Sequence, residues 1–283
     1  MEAEFDKTML NEIHGLSCIE NFLLYAMKVE GYGYKHLYHY SHLSLCDIAD
    51  EFIGNNARYT SFQKVRRLQE LAAQNGLIEM KYLKHYDFER HIGDHRYTAV
   101  MVKPEYIAAK YKTELWRNDH FLLIRPKNSE SYFYLNDNPR DSGIISLAEL
   151  KSIYAGEMIG FTVRNKIGEE LQGEFLQIII DSVSAVPVRF EFDLKDVTTA
   201  RDILGITRVL RKRVFEYCGM YIPVDFCDGY IPSLDRVYAS IEYMRLRKAV
   251  DFGKINRQFE GLQERDIEIL SILSAKMKEV YAK

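Results

Sequence analysis

Apolar residues recur at helical spacing near the start of the chain, and strand-like spacing follows further on. Three helices are predicted in the first part, at residues 18–30, 45–52 and 61–75. Four strands are predicted after them, at residues 97–102, 120–124, 131–136 and 158–165. Helices followed by a group of strands indicate an α+β fold, with the first helix packed on a small antiparallel sheet.

The segments between the predicted strands are short. Residues 104–116 are expected to form a connection, 125–130 a hairpin loop, and 137–143 a turn rich in Asp, Asn, Pro and Gly. A short helix is predicted over residues 145–155, with Ser146 as its cap.

Beyond residue 165 the strand pattern gives way to helical spacing. Four helices are predicted there, at residues 168–186, 197–219, 233–253 and 265–283. This change of pattern predicts two parts that share an interface. The first is a domain over residues 1–165, and the second is a mainly helical domain or subdomain over residues 166–283.

Cys18 is predicted at the first position of the first helix. Ser17 is a favourable N-cap, Glu20 completes the pattern of a capping box, and Gly31 is expected to end the helix. Because a helix start favours an anion, we expect the Cys18 thiol to ionise more readily than a free cysteine. The alternative interpretation is a small buried residue without chemistry.

The composition and charge of the chain argue against several classes of function. The formal net charge of −3 argues against general nucleic-acid binding, which normally requires a basic surplus. No segment approaches the length of an apolar membrane span, and the first residues do not resemble a secretion signal. The four cysteines form no C-x-x-C pair, which argues against a zinc site and fits a reducing cytoplasm.

Residues 31–44 are rich in Gly, Tyr and His. His36, His39 and His42 recur every three residues, but no cysteine or carboxylate is spaced to complete a metal site with them. We therefore predict no metal, and instead expect this aromatic segment to line a cleft, with Tyr40 as a substrate-binding candidate.

A histidine and an amide–carboxylate pair follow in the order that a cysteine nucleophile requires. His120 opens one predicted strand, and Asn136 and Asp137 lie at the end of the next. In an antiparallel hairpin these two positions are neighbours, so one member of the pair can hold a ring nitrogen of His120. The other ring nitrogen can then face Cys18.

Four motifs share their order and spacing with a known family. They are HGLSCIEN around Cys18, TAVMVKPEY in residues 97–106, DHFLLI at His120, and LNDNPRDSGIISLAEL from residue 135. With these motifs, residues 10–165 resemble the N-terminal domain of the butirosin biosynthesis protein H family. That domain has a papain-like fold and is related to bacteriocin-leader cysteine peptidases.

The resemblance implies an activity and roles for particular residues. The family's named member is an acyltransferase that moves an aminoacyl chain from a carrier-protein thioester to an amine on an aminoglycoside. By this resemblance Cys18 is the nucleophile, His120 the base and Asp137 the orienting residue, with Asn136 as the alternative. It also implies a cytoplasmic enzyme of antibiotic or other specialised-metabolite biosynthesis. Such an enzyme needs no cofactor, because phosphopantetheine arrives only as part of the donor.

One departure from the related peptidases concerns the oxyanion hole. They have glutamine six residues before the cysteine, whereas this chain has Glu12, whose carboxylate would repel an oxyanion. The Cys18 backbone N–H is expected to act with another donor, for which Asn11 and His14 are the candidates. Both are also substrate-binding candidates.

A basic run in the predicted helix over residues 197–219 is a candidate docking face for an acidic carrier protein or its phosphopantetheine phosphate. The run consists of Arg208, Arg211, Lys212 and Arg213. The alternative is an ordinary solvated helix face. The C-terminal helices are also the predicted surface for any association between copies of the chain.

Three functions remain open on the sequence. The first is acyl transfer from a carrier-protein thioester through Cys18 to a small amine. The second is a cysteine peptidase or amidase, in which water is the acceptor. The third is a papain-like module that binds a partner without catalysis. No G-x-x-x-x-G-K-[ST] or G-x-G-x-x-G motif occurs, so the acyl group is expected to arrive already activated.

Overall fold

A computed structural model gives the fold of the chain. It describes residues 4–59, 62, 67–84, 88–113, 119–185 and 189–282. The chain is an α+β protein with one six-stranded antiparallel sheet, as the sequence predicts at the level of fold class. Its α-helices are α1 Cys18–Val29, α2 Leu45–Ala49, α3 Leu68–Gln74, α4 Phe88–His91, α5 Pro104–Tyr111, α6 Leu147–Ile153, α7 Glu169–Ser184, α8 Val197–Cys218, α9 Tyr230–Leu246 and α10 Phe252–Tyr281.

The sheet has the strand order β1-β6-β2-β3-β4-β5. Its strands are β1 Ile78–Lys84, β2 Tyr97–Val102, β3 His120–Pro126, β4 Ser131–Asp137, β5 Arg140–Ser146 and β6 Tyr154–Val163. The central strands β2, β3 and β4 are almost continuously apolar and buried, because helices cover one face and an apolar cluster fills the other. Helix α1 packs against β2, β3 and β4.

Short 3₁₀ turns flank this arrangement. One, Lys7–Glu12, precedes α1 and contacts β4 and β5. A second, Tyr34–Tyr40, follows α1, and a π-helical turn, Asp50–Gly54, extends α2.

Two edge strands were not predicted from the sequence. Strand β1 lies at one edge of the sheet beside β6, and its exposed positions include Glu79 and Lys81, so its apolar pattern is interrupted by charge. Strand β5 lies at the other edge beside β4 and occupies much of the segment predicted as a turn. Edge strands carry polar residues on their solvated sides, which weakens the hydrophobic signal used to predict them.

Several helix boundaries also differ from the prediction. The predicted connection after β2 contains α5, which begins with Pro104, a residue well suited to the first turn of a helix. Helix α3 is described only over Leu68–Gln74, and most of the predicted residues 61–67 lie outside the described residues. Helix α10 begins at Phe252 because Asp251 caps it, whereas the sequence analysis predicted both residues inside the preceding helix.

The chain divides into two compact units. The first contains Met1–Tyr34 and Arg67–Ile167, and the second contains Lys35–Arg66 and Gly168–Lys283. The sequence placed residues 35–66 in the first domain. They contribute α2 to the second unit because α2 packs against α8 and α10.

Among the residues that the structure describes, no helix combines the length and apolar character needed to cross a membrane.

Candidate active site

Cys18 occupies the first position of α1, as predicted. The Ser17 side chain accepts a hydrogen bond from the Glu20 backbone N–H at 3.2 Å, which caps the helix. Cys18 is partly exposed, whereas the other three cysteines are buried. It is therefore the thiol most accessible to a small reagent.

The predicted capping box is only half formed. The Glu20 carboxylate accepts from the Leu16 N–H at 2.7 Å and from the Leu68 N–H at 2.9 Å instead of from Ser17. Glu20 is only 3% exposed, so this buried carboxylate joins the loop before Cys18 to the start of α3. The box fails because the Leu16 and Leu68 N–H groups take the Glu20 oxygens.

His120, at the start of β3, is held by Asn136. The distance from His120 Nε2 to Asn136 Oδ1 is 2.6 Å, and both side chains are buried. Asn136 Nδ2 donates to the Pro139 carbonyl at 2.8 Å, which presents Asn136 Oδ1 to the imidazole. Nε2 must then carry the hydrogen, and Nδ1 is the basic nitrogen of the neutral ring.

The preference for Asp137 as the residue that orients His120 is not supported by this geometry. Adjacent residues of a strand point to opposite faces, so only one of the pair can face the ring directly. Asn136 takes that position, and Asp137 binds α1 instead. Asn136 is therefore the residue that holds the His120 ring.

Asp137 is held by a relay from the loop before Cys18. Its Oδ2 accepts from Asn21 Nδ2 at 2.9 Å, and Asn21 Oδ1 accepts from the Gly15 N–H at 2.9 Å. A Cβ at Gly15 would collide with the Asn21 side chain, so the close approach requires glycine there. The relay fixes the carboxylate relative to the Cys18 helix.

The electrostatics of Cys18 contradict the expected easy ionisation. Burial, and secondly the negative charge of Asp137, raise the pKa of Cys18 from 9.0 to about 12. The backbone N–H groups of Phe121, Ile19 and Cys18 itself oppose this shift but do not overcome it. The expectation considered only the helix start, which is one of the smaller influences here.

Asp137 is itself perturbed. Burial raises its pKa above 3.8, although the Asn21 hydrogen bond and the charge of His120 act in the opposite direction. Cys18 on α1 and His120 on β3 are therefore both within electrostatic reach of this carboxylate.

The oxyanion-hole candidates differ in their placement. The Glu12 carboxylate forms a salt bridge with Lys28 at 2.7 Å, which neutralises the charge that the sequence places in an unfavourable position. Asn11 is exposed and accepts a hydrogen bond from Arg140, the strand partner of Asp137 in the β4–β5 turn. Asn11 thus lies at the rim of the site, and His14 is partly buried in the segment that leads to α1.

The aromatic segment belongs mainly to the second unit. Tyr40 packs on His39, whose ring stacks on Phe175 with centroids 3.8 Å apart. His39 Nδ1 lies 2.6 Å from the His36 carbonyl. Among the described residues, no group of three or more His, Cys, Asp or Glu side chains is placed to hold a metal ion.

The predicted carrier-docking face is not formed. Arg211 and Arg213 are fully buried, and Arg211 Nε binds Asp266 Oδ1 at 2.6 Å. Arg208 and Lys212 are both partly exposed, and Arg208 pairs with Asp235 at 2.6 Å. Neighbouring positions on a helix point in different directions, so a run in sequence is not a single face.

Sequence reasoning missed Asn21 as part of the site. It lies three residues after Cys18, and residues three apart share a helix face, so the spacing was a usable signal. Gly15 was missed as well, because its role depends on the position of Asn21 in the folded chain.

No protein-family model matches this chain, and no curated protein sequence matches it either.

Proposed function

We propose that this chain is a cysteine-dependent acyltransferase with a papain-like first unit. Cys18 is the nucleophile, His120 the base, and Asn136 the residue that orients His120. The single observation that carries the proposal is the 2.6 Å contact between His120 Nε2 and Asn136 Oδ1, at the start of the strand whose Phe121 N–H acts on the helix-start Cys18. This hydrogen bond selects the ring tautomer that can accept a thiol proton at Nδ1.

The first half of the proposed reaction loads the enzyme. His120 Nδ1 takes the thiol proton, and the Cys18 sulfur attacks the carbonyl carbon of a carrier-protein thioester. The carbon–sulfur bond to phosphopantetheine breaks, and the leaving thiolate takes the proton from the imidazolium. One thioester replaces another, so the step needs no external energy source.

The second half transfers the acyl group. An amine attacks the Cys18 thioester, His120 accepts the proton that the amine loses, and Cys18 leaves and regains a proton from His120. The product is an amide. The backbone N–H of Cys18 at the start of α1 is the first candidate donor to the tetrahedral oxyanion, because N–H groups at a helix start have no partner within the helix.

The donor remains the part of the proposal that rests on resemblance to the butirosin biosynthesis protein H family. The basic run on α8 no longer supports it, because two of its four members are buried. Specialised-metabolite biosynthesis and a cytoplasmic location are proposed on the same resemblance.

The test separates transfer from hydrolysis. The purified chain is supplied with an N-acetylcysteamine thioester, a short mimic of the carrier arm, with and without a small primary amine. We expect amide to form in preference to free acid, and to disappear in Cys18→Ala. Exclusive release of free acid when the amine is present would indicate a hydrolase, and an unreacted thioester would contradict both assignments.

A further inference from the structure

Asp137, whose charge acts on Cys18 and is influenced by His120, has a carboxylate oxygen that is left unpaired. While Oδ2 accepts from Asn21, Oδ1 is hidden from solvent and accepts no hydrogen bond of normal geometry among the described residues, although the backbone N–H groups of Asp137 and Asn138 act on the carboxylate. Leaving a buried carboxylate oxygen unpaired is costly, so such a group calls for an explanation such as a catalytic role or a bound ligand. The residue is therefore not explained by stability.

The position of this oxygen also opposes the proposed chemistry. A negative charge beside Cys18 disfavours the thiolate, and the Asn21–Gly15 relay holds the carboxylate in that place. An isosteric asparagine would fill the same space without repelling the thiolate. The negative charge of Asp137 at this position therefore requires a functional explanation.

We propose that Asp137 determines specificity: it pairs with an ammonium or guanidinium group of the substrate that does not itself react, and this pairing favours the Cys18 thiolate. The inference rests on the proposed role of Cys18. The recognised cation must differ from the reacting amine, because an amine held as ammonium cannot attack a thioester. Substrates with a second cationic group are therefore preferred, and binding them activates the nucleophile.

Two features make a cation the fitting ligand. When Asp137 is ionised, its unpaired oxygen can only accept a hydrogen bond, so its ligand must then be a donor. Of the two titratable groups within electrostatic reach of the carboxylate, Cys18 on α1 supplies no positive charge, and His120 on β3 must start neutral if it is to take the thiol proton. A substrate cation completes the pair before that transfer occurs.

The test measures thiol reactivity and not turnover. Alkylation of Cys18 by iodoacetamide at neutral pH is followed by peptide mass spectrometry, with propylammonium chloride as the cationic probe. Sodium chloride at the same ionic strength controls for the effect of salt, and 1-propanol is the uncharged analogue of the probe. We expect a saturable, several-fold increase in the rate with propylammonium only.

The variant Asp137→Asn should show the complementary behaviour. Its basal alkylation should be faster. Each unit by which the pKa of Cys18 falls gives about tenfold more thiolate, but that thiolate is intrinsically less reactive, so the net gain in rate is about threefold per unit. It should no longer respond to propylammonium. Glu79→Gln removes an exposed carboxylate on β1 and should retain both the original rate and the response.

Three results would overturn the inference. They are an unmodified chain that does not respond to propylammonium, an equal response in Asp137→Asn, and a variant that reacts no faster than the parent. The first of these needs no substitution, so a variant that fails to fold does not prevent the test. Preferential alkylation of a buried cysteine would contradict the proposed function itself and this inference with it.

Discussion

Removing the buried guanidinium of Arg211 should destabilise the second unit far more than removing its exposed counterpart. Arg211 and Arg208 lie one turn apart on α8, and each places Nε 2.6 Å from a carboxylate oxygen. They differ in burial, since the Arg211 and Asp266 side chains are 0% and 1% exposed and the Arg208 and Asp235 side chains are 43% and 49% exposed. The pair thus isolates the effect of burial on an ion pair.

The magnitude follows from what each substitution leaves behind. Arg211→Met leaves Asp266 buried with a hydrogen bond from the Leu45 N–H at 2.8 Å, and it also removes the donor to the Leu43 carbonyl. An uncompensated buried charge of this kind costs about 3–5 kcal/mol. Arg208→Met removes only a solvated pair, which costs about 0–1 kcal/mol.

The assay is urea unfolding followed by far-ultraviolet circular dichroism at pH 7 and moderate salt. We expect the free energy of unfolding to fall by several kcal/mol in Arg211→Met and to change little in Arg208→Met. Equal losses in the two variants would refute the reasoning.

Three further results are expected. Asn136→Ala should lower thioester turnover about 10–100-fold, because loss of a buried hydrogen bond costs about 1–3 kcal/mol. Asp137→Ala should retain the His120 tautomer, and a larger loss of turnover in this variant would show that Asp137 orients His120. The Cys18 alkylation rate should keep rising with pH beyond 9.0, since its pKa is about 12; a plateau near pH 7 would show that the thiol is not suppressed. Asp137→Asn should raise the melting temperature at pH 7, because a carboxyl group whose pKa is raised on folding makes the protein less stable as the pH rises above the unfolded pKa of 3.8. The difference in melting temperature between the variant and the parent should shrink as the pH falls towards 3.8, and a constant difference would contradict this reasoning.

Local signals predicted the helix start and the hairpin that carry the candidate site residues. Ser17 and the apolar spacing after it fix where α1 begins, and Cys18 follows directly. The hairpin of β3 and β4 brings His120 and the Asn136–Asp137 pair to the same end of the sheet, because the turn sets the strand register.

The choice between Asn136 and Asp137 could not be made from the sequence. It depends on which face of β4 points toward His120, and a shift of one residue in register exchanges the two. The sequence shows both residues but not the Pro139 carbonyl that orients the Asn136 amide. The family resemblance favoured Asp137 and was misleading for that contact.

Burial was the second property that local sequence patterns could not predict. Cys18 has the helix start that favours a thiolate, yet burial and Asp137 reverse the direction of its pKa shift. Arg211 and Arg213 resemble a solvated run in the sequence, yet packing of α2 and α10 around α8 encloses Arg211 with Asp266. Both outcomes arise from residues distant in the chain.

The central claim, acyl transfer through Cys18, is tested most directly by intact-protein mass spectrometry after incubation with an acyl-carrier thioester. We predict a mass increase equal to the acyl group, located on the Cys18 peptide, lost on addition of a small amine with formation of the amide, and absent in Cys18→Ala. An unchanged mass in the parent chain while product accumulates, or an acyl group that maps to another residue and persists in Cys18→Ala, would contradict the account.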